Sequence, residues 1–375
     1  MVRTEHRHLR HPARPRAQEP DISRRTFVSP SQGPASPGRV VVIGLGGTIA
    51  MTSADGGGVV PALSARQLVA AVPGLADTGI QVEVVDFRRV PGASLTFADL
   101  TALVDEVHDQ CAAGADGVVI TQGTDTIEET AYFLDLRHTA PQPLVVTGAM
   151  RNPTLAGADG PANILAAIQT AAHPTTRDLG CLVVFNDEIH AARRARKTHT
   201  TSTATFASPD GGPLGYVVEG HPTLLNRLPD RPLLPTGTTR QARVGLITAT
   251  LGDTGELLPA LADHLDGLVV AAFGVGHVPT TWTQPLQDLA ARIPVVLASR
   301  TGSGPTLANT YAFPGSEHDL LTRGLIRAGF LDPRKARILL HGLLTTGADH
   351  RTTTAAFEAA GGHGSPQDWP YPNAR

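Results

Sequence analysis

The sequence predicts an α/β fold: a larger N-terminal domain with a mostly parallel sheet flanked by helices, and a smaller C-terminal α/β domain. Three observations carry this reading. Short, continuous β-branched runs alternate with amphipathic stretches, as in buried parallel strands joined by crossover helices. The alternation halts in a Pro-rich stretch and then restarts. The chain is 375 residues long, and at roughly 150 residues per domain such a length suits two to three domains.

The elements follow in order. Residues 1–38 are rich in Arg, His and Pro without a hydrophobic period, so they cannot bury enough surface to offset ordering entropy, and they read as a disordered tail. Ser23-Arg24-Arg25-Thr26-Phe27 has the look of a twin-arginine export signal, but no apolar stretch follows it and it reads as a chance match. Val40-Val41-Val42-Ile43-Gly44-Leu45 is a buried strand. A helix over about 64–72 and a strand over Val82–Phe87 come next. Phe97, Leu100, Leu103, Val104, Val107 and Cys111 fall at helical spacing, with Thr96 as N-cap. Gly117–Ile120 is a strand and Ile127–Leu136 a helix. Strand Pro143–Val146, a helix near 161–172 and strand Cys181–Phe185 complete the first domain, 39–220. Residues 221–242 hold four X-Pro pairs and read as a linker. In the second domain, 243–350, strands are expected at Val244–Thr248, Gly267–Ala271 and Pro294–Ala298, with a helix near 333–345. Residues 351–375 read as a tail whose Gly- and Pro-rich end is disordered.

Composition narrows the function. Apolar residues make up 41 % and the formal charge is −3, which gives no reason to expect nucleic acid or a membrane as partner. No apolar run approaches the ~18 residues that cross a bilayer. Two cysteines, Cys111 and Cys181, do not make a disulfide framework, and the histidines lack metal-ligand spacing, so no metal is expected. Of the 31 basic residues, 29 are Arg and only Lys197 and Lys335 are Lys. Any lysine kept against that bias carries information.

Chemistry is expected in the loops after parallel strands, because ligands bind outside the strands' carboxyl ends. The first such loop, Gly44-Leu45-Gly46-Gly47-Thr48-Ile49-Ala50, fails the dinucleotide pattern, since its third glycine would fall at Ile49. It presents Thr48 at a strand mouth, either as a cap or as a reactive hydroxyl. The second, Thr121-Gln122-Gly123-Thr124-Asp125-Thr126-Ile127-Glu128-Glu129, reads two ways. Asp125 and Glu128 have the spacing of a capping box. Equally, a hydroxyl, a carboxylate and converging helix N–H groups suit an amino-acid ligand. Lys197 is either a solvated charge or an ammonium that exchanges a proton, the one duty for which arginine is no substitute. Lys335, in Asp332-Pro333-Arg334-Lys335, reads as helix-opening surface whose replacement by Arg is silent.

Gly46-Gly47-Thr48-Ile49-Ala50, the run from Gly117 to Leu136 containing Gly-Thr-Asp-Thr-Ile-Glu-Glu-Thr-Ala, and Val145-Val146-Thr147-Gly148-Ala149-Met150-Arg151 resemble the bacterial-type L-asparaginases. Ala158-Asp159-Gly160-Pro161, Lys197-Thr198 and Pro213-Leu214-Gly215-Tyr216 extend the resemblance, which runs from about 39 to 348. It implies an amidohydrolase with two hydroxyl-centred triads and no cofactor. Thr48 matches the nucleophile, and Thr124, Asp125 and Lys197 match the second threonine, the aspartate and the lysine. The aspartate would also receive the substrate α-ammonium, and the backbone at Ala149 would help hold the side-chain amide. The resemblance further implies a cytoplasmic homodimer or homotetramer acting on L-asparagine. The departures are specific. Leu45 and Gln122 stand where the family usually has Thr and His, and no tyrosine lies between Thr52 and Pro61. The family's carboxylate-binding serine aligns with Gly92, leaving Ser94 as a displaced candidate. A glutamate donated from a neighbouring subunit aligns with Tyr311, which is therefore expected near the substrate. A glutaminase or other ω-amidase, and a non-catalytic amino-acid-binding relative, remain the alternatives.

Overall fold

The computed structural model describes Met1 and residues 38–47, 51–53, 59–61, 64–228, 231–237 and 240–372. The expected N-terminal tail with its Ser23–Phe27 motif, and Thr48, lie outside the described residues.

Strand β1 (Arg39–Gly44) is the expected apolar run, buried from Val40 onward. A hairpin of β2 (Met51–Ser53) and β3 (Val59–Pro61) and a short helix α1 (Ala65–Ala70) lead to β4 (Gln81–Asp86). Helix α2 (Phe97–Ala112) starts at Thr96 as expected: the Asp99 amide donates to its hydroxyl and the Thr96 amide donates to the Asp99 carboxylate. Such a cap contributes about 1 kcal/mol. Then come β5 (Gly117–Thr121), α3 (Ile127–Asp135), β6 (Leu144–Thr147), α4 (Gly160–Ala172) and β7 (Cys181–Phe185). Four further short strands follow: β8 (Glu188–Ala191), β9 (Arg196–Lys197), β10 (Phe206–Ala207) and β11 (Gly215–Val218). The presumed linker begins instead as a strand, β12 (His221–Leu224), because its Pro222 sits on a sheet edge where no amide is needed.

The large sheet runs β12-β11-β8-β7-β6-β5-β1-β4. From β4 to β7 it is parallel; β8, β11 and β12 extend it as antiparallel strands, with β12 at the edge. Strand periodicity sorts its side chains. Val41, Ile43, Val118 and Ile120 share a core with α2 and α3, while Val40, Val42, Val119 and Val145 pack on α4. The second sheet, β13 (Val244–Thr248), β14 (Gly267–Ala272), β15 (Val295–Ser299) and β16 (Ile326–Arg327), is parallel in that sequence order. Its helices are α5 (Leu258–Leu261), α6 (Thr283–Ala290), α7 (Glu317–Thr322) and α8 (Pro333–Thr345). Leu339, Leu340 and Leu343 of α8 join the core that holds Phe133 of α3, so the two sheets share one apolar interior.

The expected C-terminal tail is a correction. Residues His350–Ala360 form α9, capped by Asp349 and burying Thr353, Ala356 and Phe357. Beyond it, Trp369 is buried and its indole N–H donates to the Leu233 carbonyl. A single large aromatic with a satisfied polar edge is enough to tie down a Gly-rich end.

Candidate active site

Within the parallel part of the large sheet, β4-β1-β5-β6-β7, the chain direction of construction reverses between β1 and β5. That reversal opens a crevice at the strands' carboxyl ends. The loops after β1, β5 and β6 meet there. The Leu45 amide donates to the Thr121 carbonyl and the Gln122 amide to the Thr147 carbonyl, each bond tying one loop to its neighbour. Gly47 has φ +92°, and a Cβ there would lie 2.2 Å from the Gly123 Cα, so only glycine allows the first two loops to touch. Thr48, the next residue, lies outside the described residues.

Thr124, Asp125 and Thr126 form a 3₁₀ turn that leads into α3. The capping-box reading of Asp125 is overturned: α3 is preceded by Thr126, without a side-chain cap, and the extra turn moves Asp125 off the helix end. Its carboxylate instead meets Lys197. The Lys197 ammonium donates to Thr124 Oγ1 and to Asp125 Oδ1, both at 2.9 Å. Thr124 is 5 % exposed, whereas the Asp125 side chain is 69 % exposed and keeps an open side for a ligand. Three residue types expected together on separate segments are thus in contact across 72 positions of sequence.

The strand bearing Lys197 is only two residues long and needs outside support. The Lys197 amide donates to Glu128 Oε2 at 3.1 Å, and Glu128 is ion-paired through its other oxygen with Arg334 at 3.1 Å. Lys335 is not surface. It is 1 % exposed, and its ammonium donates to Asp332 Oδ2 at 3.2 Å and to the Ala195 carbonyl. The surface reading fails because this helix N-terminus is buried against another element and has no solvated side.

Ala149 is buried in the loop after β6. Asp159 shapes that loop, accepting from the Met150 and Arg151 amides at 3.0 and 2.9 Å, and Asn163 donates to the Gly148 carbonyl. Neither role was expected from sequence, although Asp159 stands inside one of the resembling motifs. Ser94 is exposed on the turn after β4, and that turn is held against the Thr124–Thr126 turn by the Thr126 hydroxyl donating to the Gly92 carbonyl at 3.0 Å. Tyr311 lies apart. It is 44 % exposed, edge-on to His277 at 5.0 Å, and its contacts include neither Thr124, Asp125 nor Lys197.

Comparison with known proteins gives the family. The family model described as Asparaginase, N-terminal matches residues 39–230, and that of the Glutaminase/Asparaginase C-terminal domain matches residues 243–357. The chain is 39 % identical over 330 residues to the Probable L-asparaginase of Deinococcus radiodurans, covering 86 % of this chain and 98 % of that one. It is 34 % identical over 333 residues to L-asparaginase 2 of Escherichia coli, covering 85 % and 92 %. Its fold is similar to that of a probable cytoplasmic L-asparaginase from Campylobacter jejuni, with TM-score 0.77, 32 % identity, and 85 % and 99 % of the chains covered. Two adjoining family models, relatives matched over nearly their whole length and a shared fold put this chain in the asparaginase family of amidohydrolases.

Proposed function

We propose that this chain hydrolyses L-asparagine to L-aspartate and ammonia, with Thr48 as nucleophile and Thr124, Asp125 and Lys197 as its proton-handling set. One observation carries the reading: a lysine ammonium bridging a buried threonine hydroxyl and an open carboxylate, at the crevice where the sheet reverses. A threonine hydroxyl is a weak nucleophile at neutral pH and needs a proton acceptor and a held carbonyl. In this account the Thr48 oxygen attacks the side-chain amide carbon, and its proton passes to the departing nitrogen. The oxyanion is held by backbone N–H at Ala149. The C–N bond breaks, ammonia leaves, and an aspartyl ester remains on Thr48. Water, giving up its proton through the Thr124–Lys197 pair, then attacks the ester carbon, and the Thr48 oxygen leaves as a hydroxyl by recovering that proton. Asp125 receives the substrate α-ammonium on its open side, and Ser94, on the adjoining turn, supplies a donor to the α-carboxylate.

We assign a homodimer or homotetramer in the cytoplasm. Exposed Tyr311 and Phe313 form an aromatic surface suited to a second copy, where Tyr311 would approach the partner's substrate. Among the described residues no helix is long and apolar enough to cross a membrane. The deciding experiment measures ammonia release from L-asparagine and from L-glutamine, with and without Thr48→Ala. Turnover of L-asparagine lost by orders of magnitude in Thr48→Ala supports the reading. A preference for L-glutamine selects the glutaminase alternative, and binding without ammonia release selects the non-catalytic one.

A further inference from the structure

Helix α8 belongs to the small sheet's half of the molecule, yet its first turn grips the segment that carries Lys197. Lys335 donates to the carbonyl of Ala195, 140 positions earlier in the chain. Arg334 holds Glu128, whose other oxygen receives the Lys197 amide. The backbone is therefore pinned two residues before the Lys197 side chain and again at Lys197 itself. Between the two pins, Arg196 donates to the Gly302 carbonyl, a third tie to the same half.

The chemistry of the pins is unusual for mere stability. A buried lysine costs heavily unless it is paired, and replacing a buried ion pair with apolar side chains is often neutral or stabilising. Burial opposes charge on Asp332, but Lys335, Arg334 and Arg196 hold its carboxyl below the usual range, and the Lys335 ammonium lies 3.2 Å from it. The chain also keeps lysine at 335 although almost every other basic position is arginine. A compact ammonium meets one carboxylate oxygen and one carbonyl there, a geometry for a point charge rather than a planar fork.

We infer that Lys335 and Arg334, with Asp332 and Glu128, are positioning residues that aim Lys197 at Thr124 and Asp125. The inference rests on the proposed role of Lys197. It makes the small sheet's half part of the working machinery without touching substrate. Displacing a catalytic group by about 1 Å costs on the order of 100-fold, which sets the scale.

The test is a mutant cycle on the full chain, read as kcat and KM for L-asparagine. Lys335→Met is expected to lower kcat about 10- to 100-fold with KM changed less than about 3-fold, because only the aim of Lys197 is lost. In a Lys197→Met background the same substitution should cost less than about 2-fold, since there is nothing left to aim. Arg334→Gln, at a partly exposed side chain, should behave likewise with a smaller loss and an unchanged circular dichroism spectrum; it decides the matter alone if Lys335→Met does not fold. Equal losses of kcat in both backgrounds, or a lower melting temperature with unchanged kcat, overturn the inference. Full activity in Lys197→Met alone overturns instead the proposed role of Lys197.

Discussion

The two sheets are built from the same strand–helix unit, yet only one reverses its strand order. In the large sheet the order β4-β1-β5 turns back on itself, and the loops on either side of the reversal hold Thr124, Asp125 and the glycines that bring them together. In the small sheet the order β13-β14-β15-β16 never reverses, so it has no such switch point. What the small sheet's half contributes is the first turn of α8, turned toward the other half's lysine. Topology favours a ligand at the reversal, and on the proposed account the remaining half holds Lys197 in place.

That contrast can be broken from the large-sheet side first. Thr124→Val keeps the shape and removes the hydroxyl under the Lys197 ammonium. It should cut kcat for L-asparagine by about 100- to 10,000-fold, the usual worth of acid–base groups, and leave the melting temperature within a few degrees. Loss of stability without loss of turnover would make Thr124 a packing residue.

From the small-sheet side, Lys335→Arg forces a bulkier group into a buried slot. It should destabilise the fold by about 1–3 kcal/mol in a denaturant titration. Stability equal to wild type would show that the slot has room and that the point-charge argument fails.

A third test uses pH at one buried imidazole of each half. His341 of α8 stacks on Phe97 of α2 at 3.6 Å, and His138, just past α3, is bonded to the Gln142 carbonyl. Burial pushes both imidazoles down to about 4. In the unfolded chain each titrates near 6.5. As pH falls, the unfolded state therefore takes up protons that the native state refuses, and stability drops between about pH 6.5 and 4. Melting temperatures across that window should fall less steeply in His138→Gln than in wild type. Parallel curves would show that His138 is not held neutral.

The smallest expected effect is at Tyr311. If it reaches a partner's substrate, Tyr311→Phe removes one hydrogen bond and lowers kcat/KM for L-asparagine by about 2- to 10-fold. No change would leave Tyr311 as a surface aromatic and the trans contact unsupported.

Much of this was legible in the chain, for local reasons. Val40–Leu45 and Gly117–Thr121 are continuous β-branched runs, and Thr96 with Asp99 is a cap written in four residues. The Thr124–Asp125 loop and Lys197 were legible as a set only through resemblance, since 72 residues separate them. What stayed hidden depends on the fold itself. Helix α9 opens on three threonines, poor helix formers, and its start is fixed by the Asp349 cap and by burial of Thr353, Ala356 and Phe357, which the local sequence does not announce. Lys335 looked like surface because nothing in Asp332-Pro333-Arg334-Lys335 reveals that Ala195 packs against it.

The central claim is that Lys197 moves a proton rather than merely carrying charge. The most direct measurement is kcat for L-asparagine in Lys197→Arg, alongside its melting temperature. A guanidinium keeps the charge but does not accept a proton near neutral pH, so kcat should fall by about 100- to 10,000-fold while the fold melts within a few degrees of wild type. Turnover like that of wild type in Lys197→Arg would contradict the account and reduce the lysine to an electrostatic partner of Asp125.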